Sequence, residues 1–307
     1  MPVKYKYPYI LEPDYKHVYT EEERKELVKC AMDVIYFAEN YFTIIDANPD
    51  SIETERVIEL YDFQKDMLRG FQNNQFNIIL SARQTGKTTV SCIFMLWYAL
   101  FHENKEIGIL ANQHSTAMEI IADIKKAQEL LPPFLKHGVT EYNKNSIEFA
   151  NGTKIFAKAT SEDALRGHTM SLVFLDEFSF VPQNIADGFW KSNYPTISKS
   201  QGKIIVVSTP KGNAGLFYEL WKGAESGKNQ FIPHRVNWYE VPGRDEKWKD
   251  DQIKNIGLLS FNQEFACVLG NSTINIKYKD KIYNLLVEEY YENSENILSY
   301  LSERNKL

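Results

Sequence analysis

Apolar residues recur at helical spacing at Leu27, Cys30, Ala31, Val34, Ile35 and Ala38, behind a capping box of Thr20 and Glu23. They predict one helix over about 21 to 42. A second helical pattern runs from Asp62 to Phe71, and after it strand and helix signals alternate: strand 76–80, helix 87–101, strand 107–111 and helix 114–131, stopped by Pro132-Pro133. Asn151-Gly152 separates two alternating runs within 145–158 and predicts a hairpin. Continuous apolar runs at 171–175 and 203–207 read as buried strands flanking a partly helical stretch, 184–199. A helix near 214–226, an edge strand near 231–237 and a charged helical region over 244–266 follow. Strands that alternate with helices predict a mostly parallel, doubly wound α/β sheet with helices on both faces, entered through a helical N-terminal extension.

The composition, 43% hydrophobic and 25% charged over 307 residues, is that of a globular chain and allows about two domains. A net charge of −6 argues against a surface that is basic overall, though not against a local basic patch. The longest run without a charged or strongly polar residue, Cys92 to Phe101, is about half of what a membrane span needs, so no membrane association is expected. MPVKYKYPYI lacks the apolar core of a secretory signal, and Cys30, Cys92 and Cys267 are too scattered for a disulfide framework or a zinc site. A reducing cytoplasm fits both observations.

The chemistry is concentrated at strand ends. Ser81-Ala82-Arg83-Gln84-Thr85-Gly86-Lys87-Thr88 joins an apolar strand to an apolar helix and differs from the phosphate-loop pattern only in Ser81, which replaces the first glycine. In such a loop Gly86 lets backbone N–H groups turn onto phosphates. Lys87 reaches the β- and γ-phosphates, and Thr88 ligates Mg²⁺. The strand SLVFL ends in Asp176-Glu177, placing one carboxylate for the Mg²⁺ shell and the next to orient and deprotonate water. The chain is therefore expected to have a P-loop NTPase fold with ATP and Mg²⁺ as its cofactors. Tyr61 and Gln64, about 20 residues before the loop, offer an aromatic face and an amide for adenine, although an aromatic at helical spacing also serves as core. Ser208-Thr209, at the end of strand 203–207, are candidates to sense the γ-phosphate or simply to cap the next helix. Either Arg83 or Arg166 is a candidate for the cation that stabilises transition-state charge.

Tyr61 to Gln64, Ala82 to Thr88, Leu165-Arg166-Gly167, Asp176-Glu177-Phe178 and Ser208 to Gly212, in this order, resemble the ATPase domain of the large terminase subunit of tailed bacteriophages. The resemblance covers about residues 55 to 266. It implies a motor that hydrolyses Mg-ATP to translocate double-stranded viral DNA into a prohead. The motor would act as a homo-oligomeric ring in the host cytoplasm, transiently docked on the portal, with the small terminase subunit as a partner. By the same analogy Arg83 or Arg166 becomes the arginine finger and Ser208-Thr209 the coupling motif. Only 307 − 266 = 41 residues follow Ala266, too few for the nuclease domain of the family, so the chain alone is expected not to cut DNA. A helicase-like translocase of superfamily 2 shares much of this chemistry but needs a second RecA-like lobe, for which the strand pattern after 240 offers nothing. A non-enzymatic nucleotide-binding module is the third reading, and Glu177 argues against it.

The organisation expected is a helical extension over 1–57, an ATPase core over 58–240, the end of that domain over 241–266 and a separate tail over 267–307. The tail opens Cys267-Val-Leu-Gly-Asn-Ser-Thr-Ile-Asn-Ile, which resembles the first block of an intein whose cysteine attacks the preceding carbonyl. Residues 268–307 contain no histidine, so a splicing tail must be the N-terminal fragment of a split intein and take its missing groups from a second polypeptide carrying the nuclease half. Strands within 273–283 and an amphipathic helix presenting Ile282, Leu285, Leu286 and Tyr290 are expected to dock that partner. A single Cys-Val-Leu-Gly also fits a buried cysteine and a variable C-terminus.

Overall fold

The computed structural model describes residues 9–45, 55–212, 214–267, 273–279, 281–286, 290, 293 and 296–304. Its centre is an eight-stranded sheet. Period-two alternation sends side chains of one strand to opposite faces. In β3 (Phe76–Ser81) Ile79 joins one core cluster while Ile78 and Leu80 join the other, and in β8 (Leu172–Asp176) Leu172 and Phe174 separate from Val173 and Leu175 in the same way. β3 is buried along its whole length because helices cover both faces.

The strand order is β10-β3-β9-β8-β4-β7-β6-β5, with β4 (Glu106–Ala111), β9 (Lys203–Ser208) and the edge strand β10 (Ile232–Val236) parallel to β3 and β8. β7 (Lys154–Ala159) is parallel to β4, whereas β6 (Ser146–Phe149) and β5 (Val139–Asn143) run antiparallel beyond it. The Asn151-Gly152 turn joins β6 to β7, with Gly152 at φ +79°. β5, which carries only short alternation next to Pro132-Pro133, was not anticipated. Because β9 lies between β3 and β8, the residues that follow these three strands emerge side by side at the C-terminal edge of the sheet, where open α/β sheets bind ligands.

One face carries α3 (Asp62–Asn73), α4 (Lys87–Phe101) and α5 (His114–Leu130). α4 is buried from Val90 to Leu100 because its sequence is apolar on every side. The expected helix over 21–42 is two helices, α1 (Glu21–Met32) and α2 (Val34–Tyr41). The apolar spacing continues across the junction, but Asp33 takes an extended conformation and its carboxylate accepts from the Ile35 and Tyr36 N–H groups, starting a new helix. Both pack on α4, where Trp97 Nε1 donates to the Cys30 carbonyl at 2.7 Å. A short antiparallel pair, β1 (Thr43–Ile45) and β2 (Glu55–Val57), follows them.

The opposite face carries α6 (Gln183–Lys199), a single helix despite Pro195 within it, together with α7 (Leu216–Glu225) and α8 (Glu246–Glu264). α8 is kinked at Gly257, whose φ of +80° and ψ of 156° leave the helical region. In the tail β11 (Thr273–Tyr278) and β12 (Lys281–Leu286) form an antiparallel hairpin, followed by α9 (Ile297–Arg304). The amphipathic helix expected to carry Ile282 and Leu285 is therefore a strand over those residues: Ile282 is 72% exposed and Leu285 buried, the in-out alternation of a hairpin. Residues 268–272, expected to begin the intein-like block, lie outside the described residues. Among the described residues no helix is long and apolar enough to cross a membrane.

Candidate active site

The phosphate loop leaves β3 at Ser81 and enters α4 at Lys87. Gly86 has φ +79°, and a Cβ there would stand 2.6 Å from Gln64 Nε2, so both backbone and space demand glycine. Ser81 and Thr85 are buried, and their hydroxyls bond to one another at 2.6 Å. That bond closes the loop on itself where the motif ordinarily has its first glycine. These two side chains shape the loop through that bond.

Gln64 is bonded to the loop from outside it. Its Nε2 donates to the Thr85 carbonyl at 2.9 Å and its Oε1 accepts from the Tyr61 N–H at 3.0 Å. The residue is 5% exposed, and through these two bonds Gln64 braces the phosphate loop. Tyr61 is partly exposed beside Phe63, with ring centroids 5.6 Å apart, and keeps a face open to solvent.

The end of β8 carries the two carboxylates. Asp176 is 4% exposed and its Oδ1 has no hydrogen-bond partner among the described residues. Burial, with the adjacent charge of Glu177 adding to it, pushes its carboxyl up to about 6. A buried carboxylate oxygen without a hydrogen-bond partner among the described residues suits a hard cation, and with the Thr88 hydroxyl supplied by the phosphate loop the donor chemistry fits Mg²⁺.

Glu177 takes a left-handed backbone conformation with φ +46°, which turns its side chain back across β9. Lys87 Nζ lies 3.0 Å from Glu177 Oε1. Oε2 accepts from the Thr209 N–H at 3.1 Å and from the Ser208 and Thr209 hydroxyls, each at 3.3 Å. Burial works to raise this carboxyl, but the Lys87 charge and these donors outweigh it and hold Glu177 below the usual range. Ser208 and Thr209 therefore grip the candidate base rather than presenting free hydroxyls to a phosphate. Ser179, which the sequence reading missed, joins them through a 2.6 Å bond to Ser208 Oγ and a 3.0 Å bond to the Thr209 carbonyl. A serine two residues after an Asp-Glu pair carries no signal of its own.

Arg83, Gln84, Lys87, Asn112, Glu177 and Phe180 line one cleft of about 530 Å³. Arg83 is anchored within the chain: its N–H donates to the Glu264 carbonyl at 2.8 Å and its guanidinium pairs with the Glu264 carboxylate. Arg166 lies elsewhere, paired with Asp163 at 2.6 Å and lining a separate recess with Ser192 and Asn193. Cys267 follows α8 and is fully buried, its Sγ donating to the Val236 carbonyl at 3.1 Å, and burial pushes its thiol up to about 12.

Comparison with known proteins gives these features a context. The profile of a family described as "Terminase large subunit, T4likevirus-type, N-terminal" matches residues 78–288. It runs past Cys267, where the resemblance had been expected to end. The large terminase subunit of Thermus virus P23-45 is 31% identical over 158 residues, 43% of this chain and 31% of that protein, and the large terminase subunit of Thermus phage G20c matches to the same extent. This chain thus spans about a third of the length of those curated relatives. Among solved structures, the HK97 bacteriophage large terminase superposes with a TM-score of 0.63 at 19% identity, covering 80% of this chain and 56% of that one. The Thermus phage P74-26 large terminase ATPase domain gives a TM-score of 0.56 at 22% identity, covering 67% and 92%. The large terminase of another thermophilic bacteriophage, solved in complex with ADP, gives 0.55 at 12% identity, covering 80% and 74%. At these identities the likeness establishes the α/β fold.

Proposed function

The chain belongs to the N-terminal family of T4likevirus-type terminase large subunits, and from that membership we propose that it hydrolyses Mg-ATP to drive double-stranded viral DNA into a prohead. The observation that carries the chemical part is the convergence of Lys87, after β3, with Asp176 and Glu177, at the end of β8, where Glu177 is clasped by Ser208 and Thr209 from the end of β9 between them. Lys87 exchanges its contact with Glu177 for the β- and γ-phosphates of bound ATP. That exchange removes the cation that holds the Glu177 carboxyl low, and the freed carboxylate becomes a stronger base while the Thr209 N–H keeps it in place. Thr88 and Asp176 would hold Mg²⁺, which neutralises charge on the phosphates when bound. Tyr61 is a side chain available to an adenine.

Arg83 lines the cleft and acts on nucleotide from within its own chain, whereas Arg166 lies outside it and would serve a neighbouring subunit of a ring. The portal, the small terminase subunit and a host-cytoplasmic setting follow from the family. Membership favours this reading over the superfamily-2 translocase. Steady-state ATP turnover tests it: Lys87→Ala should reduce hydrolysis to background with an unchanged thermal melt, and full turnover in that variant would refute it.

The division into an extension over 1–57, a core over 58–240, its completion over 241–266 and a tail from 267 belongs to the same proposal. A split-intein role for the tail is supported by the position of Cys267 three residues beyond the end of α8 and by the β11–β12 hairpin that follows. In the first step the Cys267 thiolate attacks the Ala266 carbonyl, the C–N bond breaks, and the freed amine takes up a proton. The buried thiol must first leave the Val236 carbonyl, a change that docking of a second polypeptide on the tail would have to drive. Co-expression with a nuclease-bearing fragment and intact-mass measurement decides: a ligated product lost in Cys267→Ala supports splicing, and a stable 307-residue chain beside that fragment refutes it.

A further inference from the structure

A residue far outside the phosphate-loop motif reaches it from the other end of the domain. Arg244 donates through Nη1 to the Arg83 carbonyl at 3.1 Å and through Nη2 to the Gln84 carbonyl at 3.0 Å. Its guanidinium is steadied over the Trp248 ring at 4.8 Å and near the Phe265 ring at 5.7 Å from the centroids. Among the described residues no peptide bond is cis, and in a trans peptide the carbonyl of one residue points opposite to the N–H of the next. Fixing the Arg83 and Gln84 carbonyls therefore aims the Gln84 and Thr85 N–H groups away from Arg244. Gln64, by holding the Thr85 carbonyl, does the same for the Gly86 N–H.

Among the described residues these three N–H groups donate to nothing, which leaves three consecutive donors for an anion. Gln84 sits at φ +56°, a conformation that an L-residue keeps only when its surroundings impose it. The two-pronged contact from Arg244 supplies that constraint.

We infer that Arg244 is a positioning residue for nucleotide: its fork on the Arg83 and Gln84 carbonyls pre-sets the loop amides that receive the phosphates. The inference rests on the ATPase reading, and the test separates the two. Arg244 touches neither Glu177 nor Asp176, so its removal acts on binding and leaves the chemical step alone. In the full chain, Arg244→Ala should raise KM for ATP about tenfold while kcat stays within about twofold and the thermal melt is unchanged. Arg244→Lys keeps a cation over Trp248 but reaches only one carbonyl, and should recover part of the affinity. Should the alanine variant melt lower, the lysine variant carries the test.

ADP binding by titration is the second measurement, because it does not need turnover. A wild-type chain that binds ADP but never hydrolyses ATP would defeat the ATPase reading and leave this inference standing. An Arg244→Ala chain with wild-type KM and ADP affinity would overturn it, as would a fall in kcat at constant KM or full rescue by lysine.

Discussion

Asp176 is the residue whose ionisation the fold opposes most clearly at the site. Its folded-state pKa of about 6 lies above the ordinary aspartate value. Between those two values the folded state holds a proton that the unfolded state has released, so this group makes stability fall as pH rises through that window. A bound cation needs the ionised form, and Mg²⁺ should reverse the trend. In Mg²⁺-free buffer, raising pH from about 4 to about 6 should therefore cost the wild-type chain more stability than Asp176→Asn. Added Mg²⁺ should stabilise the wild type more at pH 7.5 than at pH 5. Identical pH profiles for the two proteins would contradict the assignment. Asp176 and Glu177 were legible in sequence because a buried apolar strand rarely ends in two acids without work for them. The hold of Ser208, Thr209 and Ser179 on Glu177 was not, because it depends on β9 lying between β3 and β8.

Among elements, the turn from β3 into α4 is the most constrained. Gly86→Ala would place a methyl 2.6 Å from Gln64 Nε2 and force a residue with a side chain to φ +79°. The strain is on the order of 1–3 kcal/mol, and the brace from Gln64 to Thr85 would loosen. The expected outcome is at least a tenfold loss of nucleotide affinity with secondary structure intact by circular dichroism; unchanged affinity would mean that the loop geometry is not limiting. The turn itself was legible from Gly-Lys-Thr between an apolar strand and an apolar helix. What holds it was not: Gln64, Glu264 and Arg244 reach it from distant parts of the chain, and one sequence shows no pairing between them. The same limit explains the extension, where apolar spacing runs unbroken past Asp33 and only its capping bonds reveal two helices.

For the whole molecule the open question is how the two arginines divide their roles between subunits. If Arg83 works in its own cleft and Arg166 in a neighbour's, mixing each alanine variant with Lys87→Ala should restore turnover for Arg166→Ala alone. Rescue of Arg83→Ala instead would reverse the assignment. The doubly wound sheet, its edge strand and its parallel core were readable from the alternation of strand and helix. The antiparallel β5–β6 edge was readable only in part, and in the tail, where strands were expected within 273–283, the end of β12 was misread as helix because Ile282, Leu285 and Leu286 fit a helical stripe as well as a strand. The central claim is that Glu177 activates water for ATP hydrolysis, and Glu177→Gln examined for binding and turnover in one preparation tests it most directly. The account predicts Mg-ATP affinity within about threefold of wild type and turnover reduced at least a hundredfold, a loss of the size that removing a general base brings. Turnover at the wild-type rate with the same affinity would contradict it.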